Sequence, residues 1–159
     1  MTTTTHETRI DVDPDVPLVR ITREFDAPPA KVFRAHTDPG LVAQWLGPRS
    51  TQTRVDQWDC RTGGSYRYVS LHEDQEYGFH GCFHEVRPDE LIVQTFTFEG
   101  VPDGVHLEKL RLEDLGGGRC LLTSTSLCDS FAERDGMISA MDVGVHEGYA
   151  KLDALLAEG

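Results

Sequence analysis

The sequence predicts an α+β fold in which an antiparallel sheet packs against one long C-terminal helix, and three observations carry that prediction. From Phe131 to Ala157 apolar residues recur at three- and four-residue steps. Ahead of that stretch, seven alternating segments are separated by turn residues at hairpin-like intervals. Two short helical signatures interrupt the series after its first segment. Short connections favour antiparallel neighbours, so the later strands should form a meander. A chain of 159 residues fits one domain, able to bury roughly 70% of its unfolded surface around a single core.

The helix is the most fully specified element. Ile138, Met141, Val145, Tyr149, Leu152, Leu155 and Leu156 form its apolar stripe, with Glu133, Asp135, Asp142, Glu147, Lys151 and Asp153 mostly between them. Ser130 predicts the N-cap, Glu133 stands where a capping box requires it, and Gly159 follows the last periodic residue. Such a helix runs roughly 40 Å, which suits the face of a curved sheet. Its first half, with Met137, Ala140, Met141, Gly144 and Gly148, is small or soft, whereas its second half is leucine core. The glycines serve either close packing or space for a ligand.

Residues 1–17 are threonine-rich, acidic and poor in apolar side chains, and are expected to form a flexible arm ahead of a single domain over 18–159. From Leu18 to Phe25 polar and apolar residues alternate as in a strand. Asp26-Ala27-Pro28-Pro29 ends it and opens a short helix through Val32, Phe33 and His36. Thr37-Asp38-Pro39 repeats the cap-then-proline signature and opens a second through Leu41, Val42 and Trp45, stopped by Gly47-Pro48. Six more strands are expected at Thr51–Trp58, Ser65–Leu71, Glu76–Val86, Glu90–Phe98, Val105–Leu115 and Arg119–Leu127. Gly116-Gly117-Gly118 falls between two strands and not before a helix, so it is a hairpin turn and not a phosphate loop.

A formal net charge of -12 argues against nucleic acid and anionic membrane surfaces as partners. No apolar run is long enough to span a bilayer, and Met1–Thr5 lacks the features of a signal peptide, so a cytoplasmic location is expected. Cys60, Cys82, Cys120 and Cys128 show no C-x-x-C spacing and read as reduced thiols. No metal or cofactor is expected. His80 and His84 would stand roughly 13 Å apart on a strand, and the acidic pairs follow no calcium-loop pattern. A homodimer is compatible with the sequence.

Read together, several stretches resemble a known family: Phe25-Asp26-Ala27-Pro28, Val32-Phe33, Thr37-Asp38-Pro39, Trp45, Gly47-Pro48, Asp59 with Arg61, and Gly63-Gly64. The likeness continues through Gly81, Glu85-Val86, Thr97-Phe98-Glu99, Arg134-Asp135-Gly136-Met137 and Glu147-Gly148-Tyr149. These resemble the branch of the SRPBCC superfamily, the START and pollen-allergen-like helix-grip proteins, that holds homologues of the activator of the heat-shock-protein-90 ATPase. The resemblance implies a helix-grip fold: a curved antiparallel sheet of about seven strands wrapped around the C-terminal helix, with a hydrophobic cavity between. It implies no single activity, because the superfamily holds lipid carriers, cyclase and aromatase enzymes and chaperone regulators. Where many relatives carry two aromatic residues this chain has Trp45-Leu46, so its cavity mouth is less aromatic.

Alternation then selects candidate lining residues. Tyr66 and Tyr68 share a face, as do Tyr77, Phe79 and Phe83, and as do Phe96 and Phe98, while Trp45, Met137, Met141 and Val145 would complete the wall. The same rings would pack as ordinary core in the absence of a ligand. His106 and Glu108 share a face with Leu110 and Leu112 and form the candidate catalytic pair, since burial moves both toward neutral forms suited to proton transfer. Glu108 could equally accept hydrogen bonds from Tyr66 or Tyr68, or both residues could be solvated. The leading expectation is binding or carriage of a small hydrophobic or aromatic molecule. A cyclase- or aromatase-type enzyme comes second, and a chaperone ATPase regulator last. Trp45 is expected to report ligand uptake and Trp58 to respond less.

Overall fold

The computed structural model describes residues 6–158 and builds them into eight strands and three helices. In chain order these are β1 (Arg9–Val12), β2 (Leu18–Phe25), α1 (Pro29–Thr37), α2 (Pro39–Trp45), β3 (Gln52–Trp58), β4 (Ser65–His72), β5 (Gln75–Arg87), β6 (Leu91–Phe98), β7 (His106–Gly116), β8 (Arg119–Leu127) and α3 (Phe131–Ala157). Met1–Thr5 and Gly159, on which the leader and helix-stop readings rest, lie outside the described residues. The strands form one antiparallel sheet in the order β1-β2-β8-β7-β6-β5-β4-β3. Six strands follow the expected meander, and β2 joins its far end by pairing with β8 from Leu18↔Leu127 to Phe25↔Cys120.

One segment departs from expectation. Residues 9–12, read as part of a flexible arm, form an eighth strand, with Ile10 opposite Ile21 and Val12 opposite Val19. Its own sequence is too short and polar to announce a strand. It is held by the open edge of β2, whose backbone groups would otherwise face solvent.

Local chemistry places the helices where the sequence predicts. Pro29 stands in the first turn of α1, and the Asp38 carboxylate caps α2 by accepting a hydrogen bond from the Gly40 N–H at 2.9 Å. Ser130 Oγ likewise accepts from the Glu133 N–H at 3.1 Å to start α3. Gly116, Gly117 and Gly118 all have positive φ, a run that only glycine tolerates, and they close the β7–β8 hairpin.

The core lies under the second half of α3, where Tyr149, Leu152 and Leu156 are buried against Phe25, Val32, Leu122 and Trp45. Leu152 is wholly buried. Along the first half, Met137, Met141 and Val145 are only half-buried, so sheet and helix part there. The glycines of α3 bring it onto the link between α2 and β3. A Cβ on Gly148 would stand 3.3 Å from the Trp45 carbonyl oxygen, and one on Gly144 would stand 3.3 Å from Pro48 Cδ.

Polar ties fix the helix along its length. Arg23, inward-facing and 3% exposed, grips Asp153 through Nη1–Oδ1 at 2.8 Å and Nη2–Oδ2 at 2.6 Å. Arg134, also buried, donates to the carbonyl of Asp13 at 2.6 Å and so ties the β1–β2 loop to the start of α3. Lys31 donates to the carbonyl of Leu156 near the other end.

Candidate functional site

Where α3 lifts from the sheet there is a cavity of about 950 Å³, bounded by β2 to β8, by the two short helices and by α3. A smaller hollow at the β4–β5 turn is lined by polar and acidic side chains such as Gln52, Glu73 and Asp74.

An aromatic band forms one wall of the larger cavity, because inward positions of adjacent strands fall side by side. Tyr68 on β4 stacks on Phe79 on β5, with centroids 5.0 Å apart and planes at 21°. Phe79 stacks in turn on Phe96 on β6, at 5.4 Å and 26°, and Phe96 meets the His106 ring on β7 at 5.9 Å. Met137, Met141 and Val145 of α3 face this band across the cavity. Flat rings opposite soft thioethers suit a planar apolar guest.

A polar row crosses the floor beside the band. Register puts Gln94 opposite Glu108 and Glu108 opposite Ser126. The Gln94 amide donates to Glu108 Oε1 at 3.0 Å and to the Tyr66 hydroxyl at 3.3 Å, while Ser126 Oγ donates to Glu108 Oε2 at 3.4 Å. The Tyr66 hydroxyl in turn donates to the Thr95 carbonyl at 2.6 Å. Burial lifts the Glu108 carboxyl from 4.5 to about 7, although these two hydrogen bonds oppose the rise. The Tyr66 and Tyr68 hydroxyls are pushed well above their ordinary range by burial, with the Glu108 charge adding to it.

Other polar groups face the cavity from its ends. His36 Nδ1 lies 2.8 Å from the Val32 carbonyl, which can only accept, so Nδ1 carries the proton and Nε2 is left as an acceptor. Burial lowers this ring from 6.5 to about 4 despite that bond. Among the described residues three buried polar atoms around the cavity have no protein partner: Trp58 Nε1, His106 Nδ1 and Glu133 Oε2. His106 begins β7, and Glu133 sits in the first turn of α3 against Gly104, so the latter two belong to the same end.

Of the residues singled out from sequence, Trp45, Tyr66, Tyr68, Phe79, Phe96, Phe98, His106, Glu108, Met137, Met141 and Val145 all border the cavity. Phe83 does not. It lies on the same face of β5 as Phe79, but it is 2% exposed and packs behind Trp58 and Tyr66, at 5.9 and 5.2 Å. Gln94, Ser126, His36 and Glu133 were not singled out as lining residues, and the geometry argues against the expectation that Trp58 responds less than Trp45. A bulge between Val55 and Gln57 shifts the parity of β3 and turns Trp58 inward, onto Tyr66. Trp45 Nε1 already donates to the Ala35 carbonyl at 2.8 Å, whereas Trp58 Nε1 is free. Trp58→Phe is therefore expected to remove more of the fluorescence quenching by a flat aromatic titrant than Trp45→Phe does. The opposite order would place the guest at the other end.

His80 is on the outer face, 2.8 Å from Glu99, and His84 is exposed on the same face. Among the described residues no three His, Cys, Asp or Glu side chains stand close enough to hold a metal ion, and no helix is long and apolar enough to cross a membrane.

The family description "Activator of Hsp90 ATPase homolog 1-like protein" matches residues 26–157. Among solved structures, a protein of Chromobacterium violaceum is 28% identical over 87% of this chain and 96% of its own, with a TM-score of 0.76. One from Rhodobacter sphaeroides is 25% identical over 93% of this chain and 98% of its own, with a TM-score of 0.82. One from Arthrobacter aurescens is 24% identical over 95% of this chain and 92% of its own, with a TM-score of 0.83, a likeness of fold alone. No curated protein matches the chain.

Proposed function

Because this chain belongs to the family of Activator of Hsp90 ATPase homolog 1-like proteins, whose fold serves ligand binding or the regulation of a partner, we propose that it binds a small hydrophobic or aromatic molecule between sheet and α3. The observation that carries this reading is the cavity of about 950 Å³, walled on one side by stacked rings and on the other by half-buried methionines. Such a volume accommodates a molecule of drug size with most of its surface covered. The chaperone-regulator reading rests on family membership alone.

Met141→Trp with Leu152→Trp as its control tests the proposal. At Met141 the indole has open volume beside it, so stability should hold while the affinity for an aromatic probe falls about tenfold or more. At Leu152, which is wholly buried, the same ring has nowhere to go and should cost about 1 to 3 kcal/mol. Equal losses of denaturation midpoint in the two variants would mean that no usable cavity exists at Met141.

One observation favours a second reading, a cyclase- or aromatase-type enzyme. A carboxyl that titrates near 7 on the cavity floor can give or take a proton at neutral pH, and His106 stands two residues away on the same strand face. Carriage needs no such group. For that reason Glu108 is the residue that separates binding from turnover.

A further inference from the structure

We infer that the molecule held in this cavity is an aromatic compound bearing a hydroxyl or amine donor and no acidic group, oriented with that donor toward His106 and Glu133. The inference rests on the binding proposal above and adds the chemical class and orientation of the guest.

The charge inventory excludes anions. Among the described residues the cavity lining contains no lysine or arginine. Its ionisable side chains are Glu108, Glu133, His36, His106 and tyrosines, and burial keeps His36 neutral. At pH 7.5, above the value of about 7 to which burial lifts Glu108, a carboxylate or phosphate entering here would meet the Glu108 carboxylate and the Glu133 side chain with no lysine or arginine to pair with, a like-charge juxtaposition that disfavours it. The net charge of -12 on the whole chain adds repulsion at long range. Fatty acids and acyl phosphates are thereby disfavoured, although the apolar wall alone would suit their chains.

The hydrogen-bond inventory sets the rest. His36 Nε2 is an acceptor by its tautomer, and Glu133 Oε2 is an acceptor buried without a partner. Ser126 and Gln94 already turn their protons toward Glu108 and Tyr66. At the His106 end the wall thus shows an acceptor in need of a proton, whereas the free Trp58 N–H stands beside Tyr68 at the other end of the band, and a buried acceptor left without a partner is costly. Glu133 is the distinctive member. Its backbone N–H completes the cap on Ser130, yet its carboxylate turns away from the usual capping-box bond and lines the cavity beside Gly104. A guest lying along the band from Tyr68 to Phe96 has its leading edge at His106, which leads the donor to Glu133.

A matched set of naphthalenes decides the matter, with 2-naphthol, 2-naphthoate and 2-methylnaphthalene titrated at pH 7.5 against wild type and Glu133→Gln by tryptophan quenching. The expected order in wild type is naphthol first, methylnaphthalene next and naphthoate at least about tenfold weaker than naphthol. Glu133→Gln keeps size and cap while removing the charge, so naphthoate should gain several-fold there and methylnaphthalene should not move. Naphthoate binding as tightly as naphthol in wild type would overturn the inference and leave the binding proposal standing. So would a naphthol-to-naphthoate ratio untouched by Glu133→Gln. Failure of all three compounds, and of the neutral dye Nile red, would instead remove the binding proposal and this inference with it.

Discussion

Glu108→Gln is expected to stabilise the protein by about 3 kcal/mol at pH 8 and by nothing measurable at pH 4. The wild-type carboxyl is raised from 4.5 to about 7, so the folded protein binds its proton more tightly than the unfolded chain does. Its contribution is fully present below 4.5 and is lost as pH rises through 7, at about 1.4 kcal/mol per pH unit. Glutamine keeps the bond from Gln94 and cannot ionise, so that loss disappears. His36 acts in the opposite sense. Lowered from 6.5 to about 4, it contributes stability above 6.5 that is lost as pH falls toward 4. In the wild type the two slopes nearly cancel between 4.5 and 6.5, and Glu108→Gln should uncover the rising limb due to His36. Urea titrations at pH 4, 5.5, 6.5 and 8 read both effects, and groups common to the two proteins drop out of the difference. A difference that is constant with pH would show that Glu108 does not titrate in this range. Should a substrate be found, the same variant ought to lower turnover by about 10² or more with affinity kept.

Asp153→Ala is expected to cost about 3 kcal/mol. It strips the carboxylate from an arginine that is 3% exposed and leaves a buried cation with only neutral partners, Thr8 Oγ1 and the Glu24 carbonyl. The figure sits at the lower end for broken buried pairs because Asp153 is itself 36% exposed. At about 2 to 4 °C per kcal/mol the midpoint should fall by roughly 10 °C. Asp153→Asn keeps one acceptor oxygen and should fall by about half as much, and Arg23→Met with Asp153→Leu should recover most of the loss by removing both charges. A drop of less than about 1 kcal/mol for Asp153→Ala would mean that solvent replaces the carboxylate and that Arg23 is not sealed.

What the sequence discloses and what it hides divide along physical lines. The bounds of β2, β8 and α3 are readable because alternation, turn residues and the Ser130 cap agree with one another at each end. β1 is hidden because its partner, not its composition, makes it a strand. Alternation assigns a face and carries no depth, which is why Phe83 shares the side of Phe79 yet lies behind the wall. It also assumes an unbroken register, and the bulge in β3 that brings Trp58 opposite Tyr66 has no signature in the local sequence. The row Gln94, Glu108, Ser126 joins three strands, and nothing local to any of them names the neighbour. Glu133 had a sufficient explanation as a cap residue, and that concealed its second role.

The pairing of β2 with β8 also sets an order of events when the chain folds. Strands β3 to β8 can each pair with the one made just before, through turns of a few residues. β2 is made early, yet its only long neighbour is nearly a hundred residues further along, and Asp153, the partner of its buried Arg23, comes later still. On a ribosome the segment through Phe25 has no strand partner but the short β1, and Val19, Ile21 and Phe25 no full cover, until β8 and then α3 have emerged. Closure of the sheet needs the chain through Leu127 and seating of the helix needs it through Asp153, so both are late and the cavity comes into existence only with the second.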